Sequence, residues 1–197
     1  MRHETWDDIR DGNRVHIFGP AGSGTSTLGR ALAGALSSQH FDTDDFYWQP
    51  TDPPFLEKRP PEERLALMQA MFLPRRDWVL SGSVESWGKE IAPRITMAIH
   101  LSLEPEIRRS RLERREAMRC SCNRGWGQPF CERCTAFLCW ADRYEAPDRH
   151  RPGRSLEADT AWARTLECPV LLLDSTRPVP ELVRGTLDRL DQLAALA

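Results

Sequence analysis

RVHIF-GPAGSGTS-TLGRALAGAL, residues 14–36, decides the fold. Arg14 to Phe18 is a short β-branched and aromatic run that reads as a strand. From Thr27 the apolar spacing changes, with Leu28, Leu32 and Leu36 on one helical face. Between them, Gly19-Pro20-Ala21-Gly22-Ser23-Gly24-Thr25-Ser26 fits the pattern G-x-x-x-x-G-K-[ST] at every fixed position but one, where Thr25 stands for the lysine. Glycines let the backbone curl until successive N–H groups point at one anion, and the helix start adds positive potential. A cradle for a polyphosphate is therefore expected over Gly19, Gly22, Ser23, Gly24, Thr25 and Ser26. The Ser26 hydroxyl falls where it would ligate Mg²⁺. Thr25 can donate a hydrogen bond but brings no charge to the phosphates, so an arginine from elsewhere would have to supply it.

Working outward, a second strand ends at His40-Phe41, a third covers Trp78 to Leu80, a fourth Ile95 to Leu101, and a fifth, fully apolar and expected to be buried, Pro169 to Asp174. Helical patterns follow Pro61, run from Pro105 to about Met118, cover about Thr135 to Tyr144, and close the chain through Leu182, Leu187, Leu190 and Leu193. Strands alternating with helices imply a doubly wound α/β fold. The 197 residues suit one domain over 1–197. A formal net charge of −2 gives no field that draws nucleic acid or anionic membrane. No apolar run is long enough to cross a bilayer and the polar start has no signal-peptide pattern, so a cytoplasmic setting is the default expectation. Six cysteines in such a chain point to thiols or a metal site before disulfides.

Asp42-Thr43-Asp44 follows the second strand at once. On an extended chain the two carboxylates share a face, one to hold Mg²⁺ and the other to contact or deprotonate a substrate hydroxyl; the alternative is helix capping. Tyr47, Trp48, Phe55, Lys58 and Arg59 are candidate acceptor contacts, against the alternative of a solvated loop anchored by aromatics. Gly82, with Trp87-Gly88, could line the opposite wall. Only Lys58 and Lys89 are lysines. Between Arg108 and Arg124 seven arginines face only Glu113 and Glu116. Arg108, Arg111 and Arg115 recur at helical spacing, with Arg111 and Arg115 expected to clamp phosphate; a solvated Arg–Glu face is the alternative. Cys120-x-Cys122 and Cys131-x-x-Cys134 could enclose a tetrahedral Zn²⁺, or remain unligated.

On GPAGSGTSTLG, DTDDFYW, WVLSGS, LEPEIRRSRLERRE and LLLDSTRPVPELV the chain resembles the P-loop small-molecule kinases, which include adenylate, nucleoside-monophosphate and shikimate kinases. GSGTSTLG and DTDDFYWQPTDPPF resemble more narrowly a branch that also lacks the loop lysine. The resemblance implies a three-layer P-loop NTPase fold with a five-stranded parallel sheet and a small lid inserted over 116–154. It implies ATP and Mg²⁺, with Asp42 near the metal and Asp44 near the acceptor, and transfer of the γ-phosphoryl to a small molecule. Two other functions stay open: a nucleotide-binding regulatory module with little kinase activity, and an interaction protein built on a zinc-bearing lid. Neither the acceptor nor the oligomeric state follows from the sequence.

Overall fold

In the computed structural model, residues 12–120, 130–146 and 154–195 are described. Their order is β1 (Arg14–Phe18), α1 (Thr25–Ala35), β2 (His40–Asp42), α2 (Thr43–Tyr47), α3 (Pro61–Met71), β3 (Trp78–Ser81), a 3-10 turn (Lys89–Arg94), β4 (Met97–Ser102), α4 (Pro105–Arg119), α5 (Glu132–Ala141), α6 (Leu156–Thr165), β5 (Val170–Asp174) and α7 (Val179–Ala194). The five strands form one sheet in the order β2-β3-β1-β4-β5, and every pairing is parallel. The expected α/β architecture is present.

β1 lies at the centre and all five of its residues are buried, as a strand covered on both faces requires. Alternation then divides the core. Val15, Ile17, Val79, Met97 and Ile99 pack under Leu28 and Leu32 of α1 and Leu182 of α7. Phe18, Trp78, Leu80 and Ala98 face the other way, against Phe46, Met68, Phe72 and Trp162. Helices on both faces make three layers. β1 is flanked by β3 and β4, so the crevice where ligands bind in such sheets opens beyond its carboxyl end, where the glycine loop emerges.

Two expectations change. The fifth strand is apolar but lies at the sheet edge, and Leu172 is 72% exposed; Leu171 and Leu173 pack on one core cluster and Val170 on the other. An edge strand exposes a flank that composition cannot reveal. Asp42 to Asp44 is not extended either: Asp42 ends β2 and caps α2, accepting the Asp44 N–H at 3.1 Å. Both aspartates therefore sit on a strand-to-helix corner.

Capping explains two starts. Pro61 opens α3 with Glu62 and Glu63 in its first turn, and the Ser155 hydroxyl accepts the Ala158 N–H to open α6. α5 packs on α4 and the glycine loop through Leu112, Leu138, Ala141 and Ala21. Of the expected lid over 116–154, residues 121–129 and 147–153 lie outside the described residues, Cys122 and Arg124 among them.

Candidate phosphate-transfer site

The glycine loop takes its shape from contacts as much as from composition. Gly22 and Gly24 have φ of 86° and 92°, the left-handed region. A Cβ at Gly22 would lie 2.9 Å from Leu112 Cγ, so α4 presses directly on the loop. The Ser23 N–H closes a turn onto the Pro20 carbonyl at 3.1 Å, so it is engaged within the loop. The first intrahelical bond of α1 runs from the Leu28 N–H to the Gly24 carbonyl at 2.9 Å, which leaves the preceding amides directed out of the helix start. Ser23 Oγ is buried without a hydrogen-bond partner.

Beside the loop, Ser26 Oγ donates to Asp42 Oδ2 at 2.5 Å, and Ser81 Oγ lies 3.4 Å from the same oxygen. His40 Nε2 bonds Ser81 Oγ at 2.8 Å, which ties β2, β3 and α1 into one rim. The ring of His40 occupies space that a Cβ at Gly29 would need, 2.6 Å away. His40 is a member of the rim that spacing could not reveal. Asp44 is exposed, yet burial by the cleft walls, and then the Asp42 charge, raise its pKa.

Among the expected acceptor contacts, Tyr47 lies under Arg64, 3.9 Å from its ring centre, with Lys58 Nζ at 5.7 Å. Arg59 donates from Nε to the Phe46 carbonyl at 3.0 Å and from Nη2 to the Trp48 carbonyl at 3.2 Å. Its guanidinium therefore staples the α2 end. Gly82 has φ of 106°, and a Cβ there would overlap Thr43 Oγ1 at 1.9 Å. Only glycine lets β3 end so close to α2.

The arginines of α4 divide by depth. Arg108 is 2% exposed and grips Glu145 with two nitrogens and the Ala141 carbonyl with one, so it joins α4 to α5. Arg111 is exposed and donates to Ser175 Oγ at 3.3 Å and to the Ser175 carbonyl at 3.1 Å. Ser175 Oγ in turn donates to the Ser23 carbonyl of the glycine loop. Arg115 instead lies over Phe137 at 5.2 Å and pairs with Glu116 at 3.3 Å. Helical spacing places all three together; Arg108 packs its stem beneath Gly22, and only Arg111 is linked to the loop by hydrogen bonds, through Ser175.

Beneath the rim is a buried polar column that no local pattern announces. His16, Phe18 and His100 stack at 5.2 and 4.9 Å between ring centres. His16 Nε2 bonds the Gly82 carbonyl at 2.8 Å, while Nδ1 accepts the Trp162 indole N–H at 3.4 Å. Burial lowers the His16 pKa to about 4, so the ring is neutral. Tyr144 donates to Asp159 Oδ2 at 2.7 Å, and His100 Nε2 lies 3.3 Å from the Tyr144 hydroxyl.

At the α4–α5 junction, the sulfurs of Cys120, Cys131 and Cys134 lie within 4.8 Å of one another. A tetrahedral zinc with about 2.3 Å bonds needs sulfurs about 3.8 Å apart, so these three fit such a site. Cys131 caps α5, and its pKa is lowered chiefly by the Cys134 N–H; burial pushes Cys134 up to about 11. Cys120 stands in a disulfide, so metal would require its reduction. Cys122 is outside the described residues.

Sheet order, glycine loop and rim together define a chain with the fold of the P-loop small-molecule kinases. A gluconokinase from Sinorhizobium meliloti 1021 superposes with a TM-score of 0.56 at 18% identity, covering 94% of each chain. A shikimate kinase from Bacteroides thetaiotaomicron gives 0.55 at 16% identity, covering 91% of this chain and 98% of that one. At such identities the likeness establishes the fold alone. No family model matches the sequence. The chain belongs to the family of the Bacillus subtilis (strain 168) protein YqaC, itself described as uncharacterized, to which it is 35% identical over 176 residues, 89% of this chain and 96% of that protein.

Among the described residues, no helix is long and apolar enough to cross a membrane.

Proposed function

We propose that the protein transfers the γ-phosphoryl of ATP to a hydroxyl of a small molecule in a Mg²⁺-dependent reaction, as a single domain with an inserted lid over 116–154, working in the cytoplasm. The amides of Gly22, Gly24, Thr25 and Ser26 would hold the phosphates, with Gly19 and Ser23 shaping the loop. Orphan amides at a helix start and a buried, unpartnered Ser23 hydroxyl fit a polyphosphate. Ser26 and Asp42 would hold Mg²⁺, which supplies charge neutralisation on the phosphates when bound.

Asp44 would accept the acceptor's hydroxyl proton or orient that hydroxyl. Its raised pKa suits a carboxylate that receives a proton. Tyr47, Lys58 and Gly82 would line the acceptor side, with Arg59 holding the Tyr47–Trp48 backbone in place. Arg111 would supply the charge that Thr25 lacks, and Arg115 would contribute on lid closure. Such a reaction is mostly positioning and electrostatics, so a cation can be relocated as long as it reaches the transferring oxygens.

This reading rests above all on the 2.5 Å hydrogen bond between Ser26 and Asp42, which brings a loop hydroxyl and a carboxylate to one point beside the phosphate cradle. Calorimetry with ATP and Mg²⁺, followed by ATP-consumption assays over hydroxylated metabolites, tests it. Absence of nucleotide binding would end the proposal.

A second reading is favoured by one residue, the uncharged Thr25: a nucleotide-binding module that signals through closure over bound ATP. Tight ATP binding with no turnover for any acceptor, and no effect of Arg111→Ala on any rate, would select it. We also propose a structural Zn²⁺ on Cys120, Cys131 and Cys134 in the reduced protein, which elemental analysis of protein purified under reductant would check.

A further inference from the structure

Three sulfurs meet where α4 ends and α5 begins, and no step of the phosphotransfer reading uses them. Cys120 is the residue at which α4 stops, Cys131 is the N-cap of α5, and Cys134 lies in the first turn of that helix. Leu112, Leu138 and Ala141 pack the two helices together, and Arg108 grips Glu145, so packed elements hold the sulfurs near one another. Cys120 Sγ lies 3.5 Å from Cys131 Sγ, and all three sulfurs fall within 4.8 Å of one another. Their states differ. Cys120 stands in a disulfide, whereas Cys131 and Cys134 are free thiols. A disulfide sulfur therefore touches a thiol that has a second thiol beside it.

Thiol–disulfide exchange needs a nucleophilic sulfur within reach of a disulfide sulfur, and a second thiol to release the mixed disulfide that forms. Both parts are present. Cys131 is half-buried at a helix start, where backbone N–H groups favour an anionic sulfur. Cys134 is only 2% exposed, and its spacing of three residues puts it on the same side of α5 as Cys131. The outer sulfur of the pair is thus placed to attack, and the inner one to resolve.

We propose that Cys120, Cys131 and Cys134 form a thiol–disulfide exchange centre, in which Cys131 attacks the Cys120 disulfide and Cys134 resolves the product. In the first step Cys131 gives its proton to solvent and its sulfur bonds Cys120 Sγ. The bond from Cys120 to its present partner breaks, and that partner leaves with the electron pair and takes up a proton. In the second step Cys134 loses its proton and its sulfur bonds Cys131 Sγ, while Cys120 leaves as thiolate and is protonated. The Cys131–Cys134 dithiol is oxidised and the Cys120 disulfide is reduced, so no outside oxidant is needed. The first link joins α4 to α5, whereas the second is confined to α5. Zinc would need the same sulfurs as thiolates, so it belongs to the chain only once these links are reduced. The inference is independent of the phosphotransfer reading.

The test uses the full chain purified without reductant, with EDTA present so that no metal holds the sulfurs. It is incubated at about pH 8, where thiols exchange readily, and quenched in acid at intervals. Free thiols are alkylated with a maleimide before digestion, and the links are mapped by mass spectrometry. Cys120–Cys131 and Cys131–Cys134 links should appear beside the initial Cys120 disulfide. Cys134→Ser removes the resolving sulfur, so the Cys120–Cys131 link should accumulate about tenfold or more over its level in the unaltered chain. Because Cys134 is buried, Cys134→Ala, which encloses no hydroxyl, accompanies it and should accumulate the same link. Cys131→Ser should abolish both new links, and Cys139→Ser, at an exposed free cysteine of the same helix, should leave them unchanged. An initial disulfide that persists with Cys131 and Cys134 alkylated throughout would overturn the inference. So would Cys134 variants that fail to accumulate the mixed link, new links that survive Cys131→Ser or join separate chains, or Cys120 recovered only as a thiol.

Discussion

The glycine loop and the column beneath it are built in opposite ways. In the loop, Gly22, Gly24 and Ser26 are chain neighbours, and backbone dihedrals plus one helix start make the geometry. Beneath it, every hydrogen bond joins distant segments: His100 to Tyr144, Trp162 to His16, Arg108 to Glu145. The loop is half-open and can exchange its partners for ligand or water. The column is buried, so removing one member strands another without a hydrogen bond. The candidate phosphate cradle is the locally built part, and the part built over long range packs beneath it.

The largest test of that contrast is Arg108→Ala. Arg108 is almost wholly enclosed, while its partner Glu145 is 35% exposed and can recover some hydration. Loss of the pair, the Ala141 carbonyl contact and the stem under Gly22 should cost about 3 kcal/mol in urea unfolding. A cost below about 1 kcal/mol would mean that the column does not hold the loop.

Next in size is the pH dependence set by His16. Its folded pKa of about 4 lies below the ordinary 6.5, so the unfolded chain binds more protons between those values. The stability due to the neutral ring is complete above about pH 6.5, falls as pH drops toward 4, and is flat below, for a total of about 3 kcal/mol. His100, also lowered by burial, adds in the same direction, whereas Asp44 and Asp45, raised by burial, oppose it. His16→Gln should flatten that slope in denaturant midpoints measured from pH 7 to 4, and an unchanged slope would place the acid sensitivity elsewhere.

The same contrast explains what the sequence made legible. The loop, α1 and all five strands follow from glycine spacing and apolar periodicity, which act over a few residues. Leu172 in VLLLD gave no sign of facing solvent, because edge position depends on which strands pair. The D-x-D motif was read first as an extended pair, with a helix cap as the alternative; the Asp44 N–H bond to Asp42 decides for the cap. His16, His40 and His100 were unreadable as site neighbours because their partners lie tens of residues away. Nothing between Arg154 and Pro169 carried a strong enough period to announce α6, whose Ser155 cap is plain only once the helix is known.

Gly22→Ala probes where the two regions touch. Its added Cβ must adopt a left-handed φ and enter the space of Leu112 Cγ and Arg108 Cγ, 2.9 and 3.1 Å away. Strain and overpacking of about 1–3 kcal/mol should appear as weaker ATP binding by calorimetry, because the loop must shift away from α4 to relieve them. If only global stability falls and ATP affinity is untouched, the loop does not hold the nucleotide.

The smallest effect separates two arginines on one helix. Arg111 reaches the loop through Ser175, whereas Arg115 lies over Phe137 beside Glu116. One charge aligned with the phosphates is worth about 1.4 kcal/mol or more in a partly desolvated site, so Arg111→Ala should weaken Mg²⁺-ATP binding about tenfold. Arg115→Ala, with its charge already paired and turned toward α5, should change that affinity less than about threefold in the same titration. Equal losses would mean that helical spacing, not the Ser175 link, selects the cation that substitutes for the missing loop lysine. A loss confined to Arg115 would require α4 to turn on nucleotide binding, carrying the outer arginine over the loop and Arg111 away from it.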